Sequence, residues 1–206
     1  MATGQARTRL ARAAVTGAAR ALFLERGYAA TTIDAVSELS GVPQATVYRL
    51  FSSKLGLLRT LLDDAIAGDS EVPGAPARAA AMLACPDPRR QLTQFAGIAR
   101  DVISRGGSVH QILAGAAGSD SQAAGLLAEY TRKREQGQGQ VACSLAQSGQ
   151  LRPGMTEQDA ADIVYALASP EVYRLLVDDR GWSPGRYEKW LAATLISQLL
   201  PKGETQ

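Results

Sequence analysis

The chain is poor in residues that carry out chemistry. Its 206 residues include one histidine, His110, and two cysteines, Cys85 and Cys143. With no CxxC pair and no second histidine, it lacks both a zinc-ligand set and the parts of a His-based catalytic triad. An enzyme would have only His110 and scattered carboxylates to work with, so no catalytic residue, cofactor or metal is expected. Long apolar runs are also missing. The stretch from Leu10 to Leu24 is interrupted by Arg12 and Arg20, so it is neither the apolar region of a signal peptide nor a membrane span of about 20 residues. The expectation is a cytoplasmic protein with no membrane partner, whose two cysteines are small buried apolar residues rather than a disulfide. Nor does one sign of charge dominate. Lys and Arg number 22 against 20 Asp and Glu, a net charge of +2, which excludes a polybasic binder and a strongly acidic disordered chain. Glycine, at 20 residues, and proline, at 9, fall short of a low-complexity bias.

What is present is helical periodicity throughout. The chain is 46% hydrophobic and long enough to bury a core without staples. Leu10, Ala14, Val15, Ala18, Ala19, Leu22 and Phe23 form a helical stripe that ends at Gly27. Thr31 and Thr32 offer caps to a short helix through Leu39, and Ser40-Gly41-Val42 makes a turn. Pro43 then starts a second short helix through Leu50, and Ser52 or Ser53 caps a fourth running to about Ala67. Gly68 to Pro76 reads as a linker. Beyond it, the pattern predicts a helix from Arg89 to Arg105 stopped by Gly106-Gly107, and a shorter one from Ser108 to about Ala117. A long helix from Ser121 to Ser148 follows, weakened at Gly137 and Gly139. After Gly149 to Gly154, Thr156 caps another helix, Pro170 interrupts it, and Ser183-Pro184 opens a last helix to Leu200. Nothing alternates with period two, so the fold class is all-α.

The informative segment is Thr31 to Lys54. Ile33, Val36, Ser37, Gly41, Val42, Val47 and Leu50 are spaced as in a helix-turn-helix, with Ser37 letting two helices approach and Gly41 taking the turn. Gln44, Thr46, Tyr48 and Arg49 then point outward from the second helix. Gln and Arg can address base edges, while Thr, Tyr and Arg can donate to phosphate. On spacing alone, two readings stay open: a DNA reader, or an ordinary pair of short helices with a polar outer face.

Gly27-Tyr28, Thr31-Thr32-Ile33, Ser40-Gly41-Val42, Thr46-Val47-Tyr48, Phe51 and Lys54-Leu55, in that order behind an arginine-studded first helix, resemble the TetR family of bacterial transcriptional repressors. The resemblance is strict from about Arg7 to Ala67 and looser beyond. Ser37 and Ser40 stand where alanine is usual, Pro43-Gln44-Ala45 replaces a common Ser-x-Gly, and Leu50 takes a site often aromatic or His. The resemblance implies an N-terminal three-helix DNA-binding domain over residues 1–67 and a C-terminal helical effector-binding and dimerisation domain over 68–206. It further implies a homodimer, a palindromic double-stranded operator and a small-molecule effector. By the same resemblance Thr32 and Lys54 are phosphate contacts, Tyr48 and Arg49 backbone or base contacts, and Gln44 and Thr46 base readers.

Charge placement agrees with a basic N-terminal reader. Residues 1–59 carry eight cations (Arg7, Arg9, Arg12, Arg20, Arg26, Arg49, Lys54, Arg59) against three acids (Glu25, Asp34, Glu38). The middle of the chain holds few aromatics, so a pocket there suits a mainly apolar effector, with Phe95, Ile98, Val102, His110, Leu113 and Tyr130 as candidate lining. Tyr165, Tyr173, Trp190, Leu191, Leu195 and Leu199 are candidates for a four-helix dimer interface. The alternative to a repressor is a helical ligand-binding or scaffold protein whose DNA-binding domain has lost operator recognition.

Overall fold

The structure, a computed structural model, describes residues 2–68 and 73–201. The described residues are all-α. The elements are α1 (Ala2–Ala30), α2 (Ile33–Ser40), α3 (Gln44–Phe51), α4 (Lys54–Ala67), α5 (Ala75–Leu83), α6 (Pro88–Ala117), α7 (Ser121–Gln147), α8 (Glu157–Leu167), α9 (Pro170–Tyr173) with a π-helical continuation over Arg174–Asp179, and α10 (Pro184–Leu199). Of the linker expected at 68–76, residues 69–72 lie outside the described residues, and Ala75-Pro76 open α5. Helix α5 has no counterpart among the helices that the sequence pattern predicts. The chain divides into two compact units, Met1–Ala65 with Ser108–Glu129, and Ile66–Gly107 with Tyr130–Gln206.

In the first unit, the α1 stripe is buried at Val15, Ala18, Ala19, Leu22 and Phe23. Leu10 and Ala14, expected on the same stripe, are exposed. The helix breaks at Gly27, whose φ of 76° favours glycine, and adds one more turn to Ala30. Thr31, fully buried, donates its hydroxyl to the Gly27 carbonyl at 2.8 Å, so Thr32 alone caps α2. Ser53 caps α4, its Oγ accepting from the Gly56 N–H at 3.0 Å. A bidentate pair between Arg59 and Glu129, both N···O distances 2.7 Å, ties α4 to the first part of α7.

In the second unit, α5, α6, α7, α8 and α10 bury a common core that includes Met82, Leu92, Phe95, Leu145, Val164, Tyr187 and Leu195. Helix α6 corrects the expected stop at Gly106-Gly107, since it runs unbroken through both glycines to Ala117. Two helical glycines cost about 1 kcal/mol each relative to alanine. Burial of Ile103, Val109 and Leu113 on the same helix outweighs that, at roughly 1.5–3 kcal/mol per buried side chain. Likewise, α7 passes through Gly137 and Gly139 without positive φ. A reciprocal capping box starts α8: the Thr156 hydroxyl accepts from the Asp159 N–H, and Asp159 Oδ2 accepts from the Thr156 N–H, both at 3.1 Å. Ser169 and Ser183 cap α9 and α10, each followed by proline at the first helical position.

Candidate nucleic-acid interface

Helices α2 and α3 are joined by a turn that side chains sew shut. Gly41 takes φ 65°. Ser37 donates its hydroxyl to the Val42 carbonyl at 2.7 Å, and Ser40 Oγ donates to Ser37 O and accepts from the Val42 N–H, both at 3.3 Å. Alanine at either position would supply none of these bonds. Pro43 precedes α3, and its carbonyl accepts from the Thr46 and Val47 N–H groups at 2.8 and 3.1 Å. Val36 and Val47 are fully buried, with Ile33 and Phe51 beside them in the core. These apolar anchors fix which side of α3 faces outward.

That outward side carries Gln44, Ala45, Tyr48 and Arg49, all exposed, with Tyr48 at 48%. Thr46 is half-buried and lies at the edge of the face. Gln44 is not free to swing: its Nε2 donates to Asp34 Oδ1 at 2.6 Å, which leaves the amide oxygen and one N–H for another partner. Asp34, the residue that orients Gln44, leaves no mark in the sequence, because a bond across ten residues and a turn has no periodic signature. Thr32 sits exposed at the N-terminus of α2, accepting from the Ala35 N–H at 3.1 Å and keeping its own hydroxyl proton to donate. A phosphate there would meet that hydroxyl at the positive end of the helix dipole.

Lys54 has a role that was not foreseen. Its Nζ donates to Tyr28 O at 2.7 Å and Ala29 O at 3.4 Å, and lies 4.2 Å from the Tyr28 ring centroid. The ammonium therefore ties the end of α1 to the start of α4. Burial holds it below the usual lysine range, against the pull of the Asp120 carboxylate. Burial first, then Asp120, pushes the Tyr28 hydroxyl up. Other cations of the basic segment are engaged as well. Arg59 is bound to Glu129, Arg26 lies 3.6 Å from Glu25, and Arg12 stacks 5.1 Å from the Phe51 ring centroid. Arg49 carries the positive charge of the exposed face of α3.

The remaining candidates are spread over both units. Phe95 lies in the core of the second unit and Ile98 packs against it, and Val102 is half-buried. Tyr130 belongs to that unit, whereas His110 and Leu113 belong to the first. The six are thus divided between the two units, α6 running through both as one helix where two short ones were expected. Among the interface candidates, Tyr173, Leu191, Leu195 and Leu199 are buried inside the chain's own core. A side chain already removed from water has no surface left to give a partner, so these four serve intrachain packing. Tyr165 and Trp190 stay half-exposed, Tyr165 beneath the Arg134 guanidinium at 3.8 Å from its ring centroid. Both cysteines are free and half-buried, not fully buried as expected. Desolvation and Glu157 raise the Cys143 thiol above its usual range, which keeps it protonated.

The sequence model of a family described as bacterial regulatory proteins, tetR family, matches residues 15–61. An uncharacterized HTH-type transcriptional regulator of Bacillus subtilis (strain 168), YdeS, is 31% identical over 173 residues, covering 80% of this chain and 77% of the relative. Among solved structures, NalD, the secondary repressor of the MexAB-OprM multidrug efflux pump in Pseudomonas aeruginosa, superposes with a TM-score of 0.70. It is 22% identical, over 92% of this chain and 95% of NalD. SmeT, in complex with triclosan, gives a TM-score of 0.71 at 16% identity, over 94% of this chain and 93% of SmeT. Among the described residues, no helix is long and apolar enough to cross a membrane.

Proposed function

We propose a function from one premise: the chain belongs to the TetR family of bacterial regulatory proteins and is a transcriptional regulator. Our reading is a homodimeric repressor that places α3 of each subunit in successive major grooves of a palindromic operator and is released by a small, mainly apolar effector. The observation that carries it is the outward face of α3. Gln44, Tyr48 and Arg49 stand exposed on a helix locked by Val47 and Phe51. In this reading Gln44, Thr46, Tyr48 and Arg49 read the groove while Thr32 and Lys54 hold phosphates, with residues 1–67 as the DNA-binding domain and 68–206 as the effector-binding and dimerisation domain.

Two relatives support the release half of the proposal: NalD is described as a repressor of a drug pump, and SmeT carries triclosan. The Arg59–Glu129 pair gives effector binding a route to the reader, since it joins α4 to α7, the helix that continues into the second unit. The dimer contact is assigned to the side of α8 and α10 that bears Tyr165 and Trp190. Two-fold symmetry with one reader per groove requires half-site centres about 34 Å apart or a multiple of that. Linkage requires an effector that weakens DNA binding to bind the DNA-bound dimer more weakly by the same factor.

The test is selection of genomic fragments by purified protein at moderate salt, repeated with Arg49→Ala and Tyr48→Phe. We expect one palindromic family of fragments, with Arg49→Ala weakening binding by about 1–3 kcal/mol. Recovery of no palindromic site by the unaltered protein defeats the reading.

A further inference from the structure

In the second unit, α5, α6 and the start of α10 line a cleft of about 350 Å³ bounded by Arg78, Gln94, Gly97, Ile98, Arg100 and Glu188. Of the six residues expected to line an apolar pocket, only Ile98 reaches it. A chain of ion pairs frames the opening. Arg78 Nη1 lies 2.6 Å from Asp101 Oδ2, Arg100 Nε 2.8 Å from Asp101 Oδ1 at an angle too bent for a hydrogen bond, and Arg100 Nη2 3.5 Å from Glu188 Oε2. Two guanidinium groups and two carboxylates leave the frame neutral.

Its hydrogen-bonding capacity is nonetheless unspent. Gln94 Oε1 is buried without a partner, and an orphaned buried acceptor is costly unless something fills it. Arg78 donates to Asp101 through Nη1, which leaves Nη2 facing the cleft, and Arg78 Nη2 and Glu188 Oε1 both reach over the same bare backbone. A Cβ at Gly97 would stand 3.2 Å from Glu188 Oε1 and 3.6 Å from Arg78 Nη2. A cationic donor edge and an anionic acceptor thus converge on one point above a glycine, with the Gln94 carbonyl nearby and the Ile98 side chain as an apolar wall.

We propose that this cleft binds a small zwitterion of the amino-acid type. Its carboxylate is held by Arg78, its ammonium by Glu188 and the Gln94 carbonyl, and its side chain lies against Ile98. A neutral frame disfavours a ligand with net charge of either sign, because desolvation of the excess charge goes uncompensated. A zwitterion satisfies both ends at once, and the volume sits at the small end of the range for ligand sites. The site is independent of the operator reading, since it is measured with no DNA present.

The experiment is ligand-observed NMR and calorimetry on the full chain with the common L-amino acids as probes. Each binder is then compared with its N-acetyl derivative, which lacks the ammonium, and its primary amide, which lacks the carboxylate. At least one amino acid is expected to bind saturably, with both derivatives weaker by about tenfold or more. Gly97→Ala places a methyl group in the cradle, 3.2 Å from Glu188 Oε1, and is expected to weaken binding at least as much without lowering the thermal melt. If that variant melts earlier, Glu188→Gln serves the same comparison. Absence of any binder, derivatives that bind as well as their parents, or full binding by a folded Gly97→Ala protein overturns the proposal.

Discussion

Between Gly27 and Gly56 the glycines occupy positions that other residues fill poorly. Gly27 and Gly41 hold φ of 76° and 65°, and a Cβ on Gly56, in the first turn of α4, would strike the Phe51 carbonyl oxygen. In α7, by contrast, Gly125, Gly137 and Gly139 lie in regular helix with open space where a Cβ would go. The first set shapes the path of the chain from α1 through α4. The second set is tolerated by helices whose other residues already bury enough apolar surface. A glycine in sequence is therefore punctuation only where the backbone uses its freedom.

Gly56→Ala should break the first region most severely. The new methyl group meets backbone and not a yielding side chain, so overpacking of about 1–3 kcal/mol is expected. DNA binding should fall with it, because α3 ends at the displaced carbonyl. Urea denaturation followed by circular dichroism measures the first effect, and a gel shift on a selected operator measures the second. A wild-type midpoint would show that the α3–α4 junction relaxes at no cost.

Ser37→Ala is the next test. Alanine fits the space, so the change removes only the hydroxyl that satisfies Val42 O. A loss of about 1 kcal/mol is expected from one part-buried hydrogen bond, read as a lower urea midpoint with an unchanged slope. The serine was visible in sequence as a small residue between two helices. Its bond to the far side of the turn was not, because nothing in the one-dimensional pattern aims a hydroxyl. The same limit explains Asp34, which orients Gln44 across ten residues, and Lys54, whose ammonium is held by carbonyls of residues 28 and 29. Caps, turns and the α2–α3 pair were legible since each is decided within a few residues. The continuity of α6 through Gly106-Gly107 was not, because burial on both sides of that pair decides it. Nor was the fate of Leu191, Leu195 and Leu199, since an apolar stripe on α10 does not say whether it faces the same chain or a second copy.

The contrast reverses sign in α7. Gly137→Ala meets nothing within 4 Å and should stabilise the chain by about 0.5–1 kcal/mol, from reduced freedom of the unfolded chain and better helix propensity. Calorimetry should show a small rise in melting temperature with DNA binding unchanged. A decrease would mean that α7 uses the glycine for a bend, and would move it into the class of Gly27 and Gly41.

The smallest effect concerns the start of α8, where the helix is set by charge and caps with no glycine involved. Asp159 accepts from the Thr156 hydroxyl at 2.6 Å and from the Thr156 N–H at 3.1 Å. These bonds favour the ionised carboxylate, and its pKa lies below the ordinary aspartate value of 3.8, the side-chain bond contributing most. A group whose folded pKa is depressed adds stability that is present above the unfolded value and is lost as pH falls through the folded one. The capping box is therefore at full strength at neutral pH and weakens only below pH 3.8. A carboxyl-carbon NMR titration should place Asp159 below the exposed aspartates, and Thr156→Val should return it toward them. An Asp159 that titrates with the others in the unaltered protein would show that the box is open in solution, and that α8 begins on burial of Ala160 and Val164 alone.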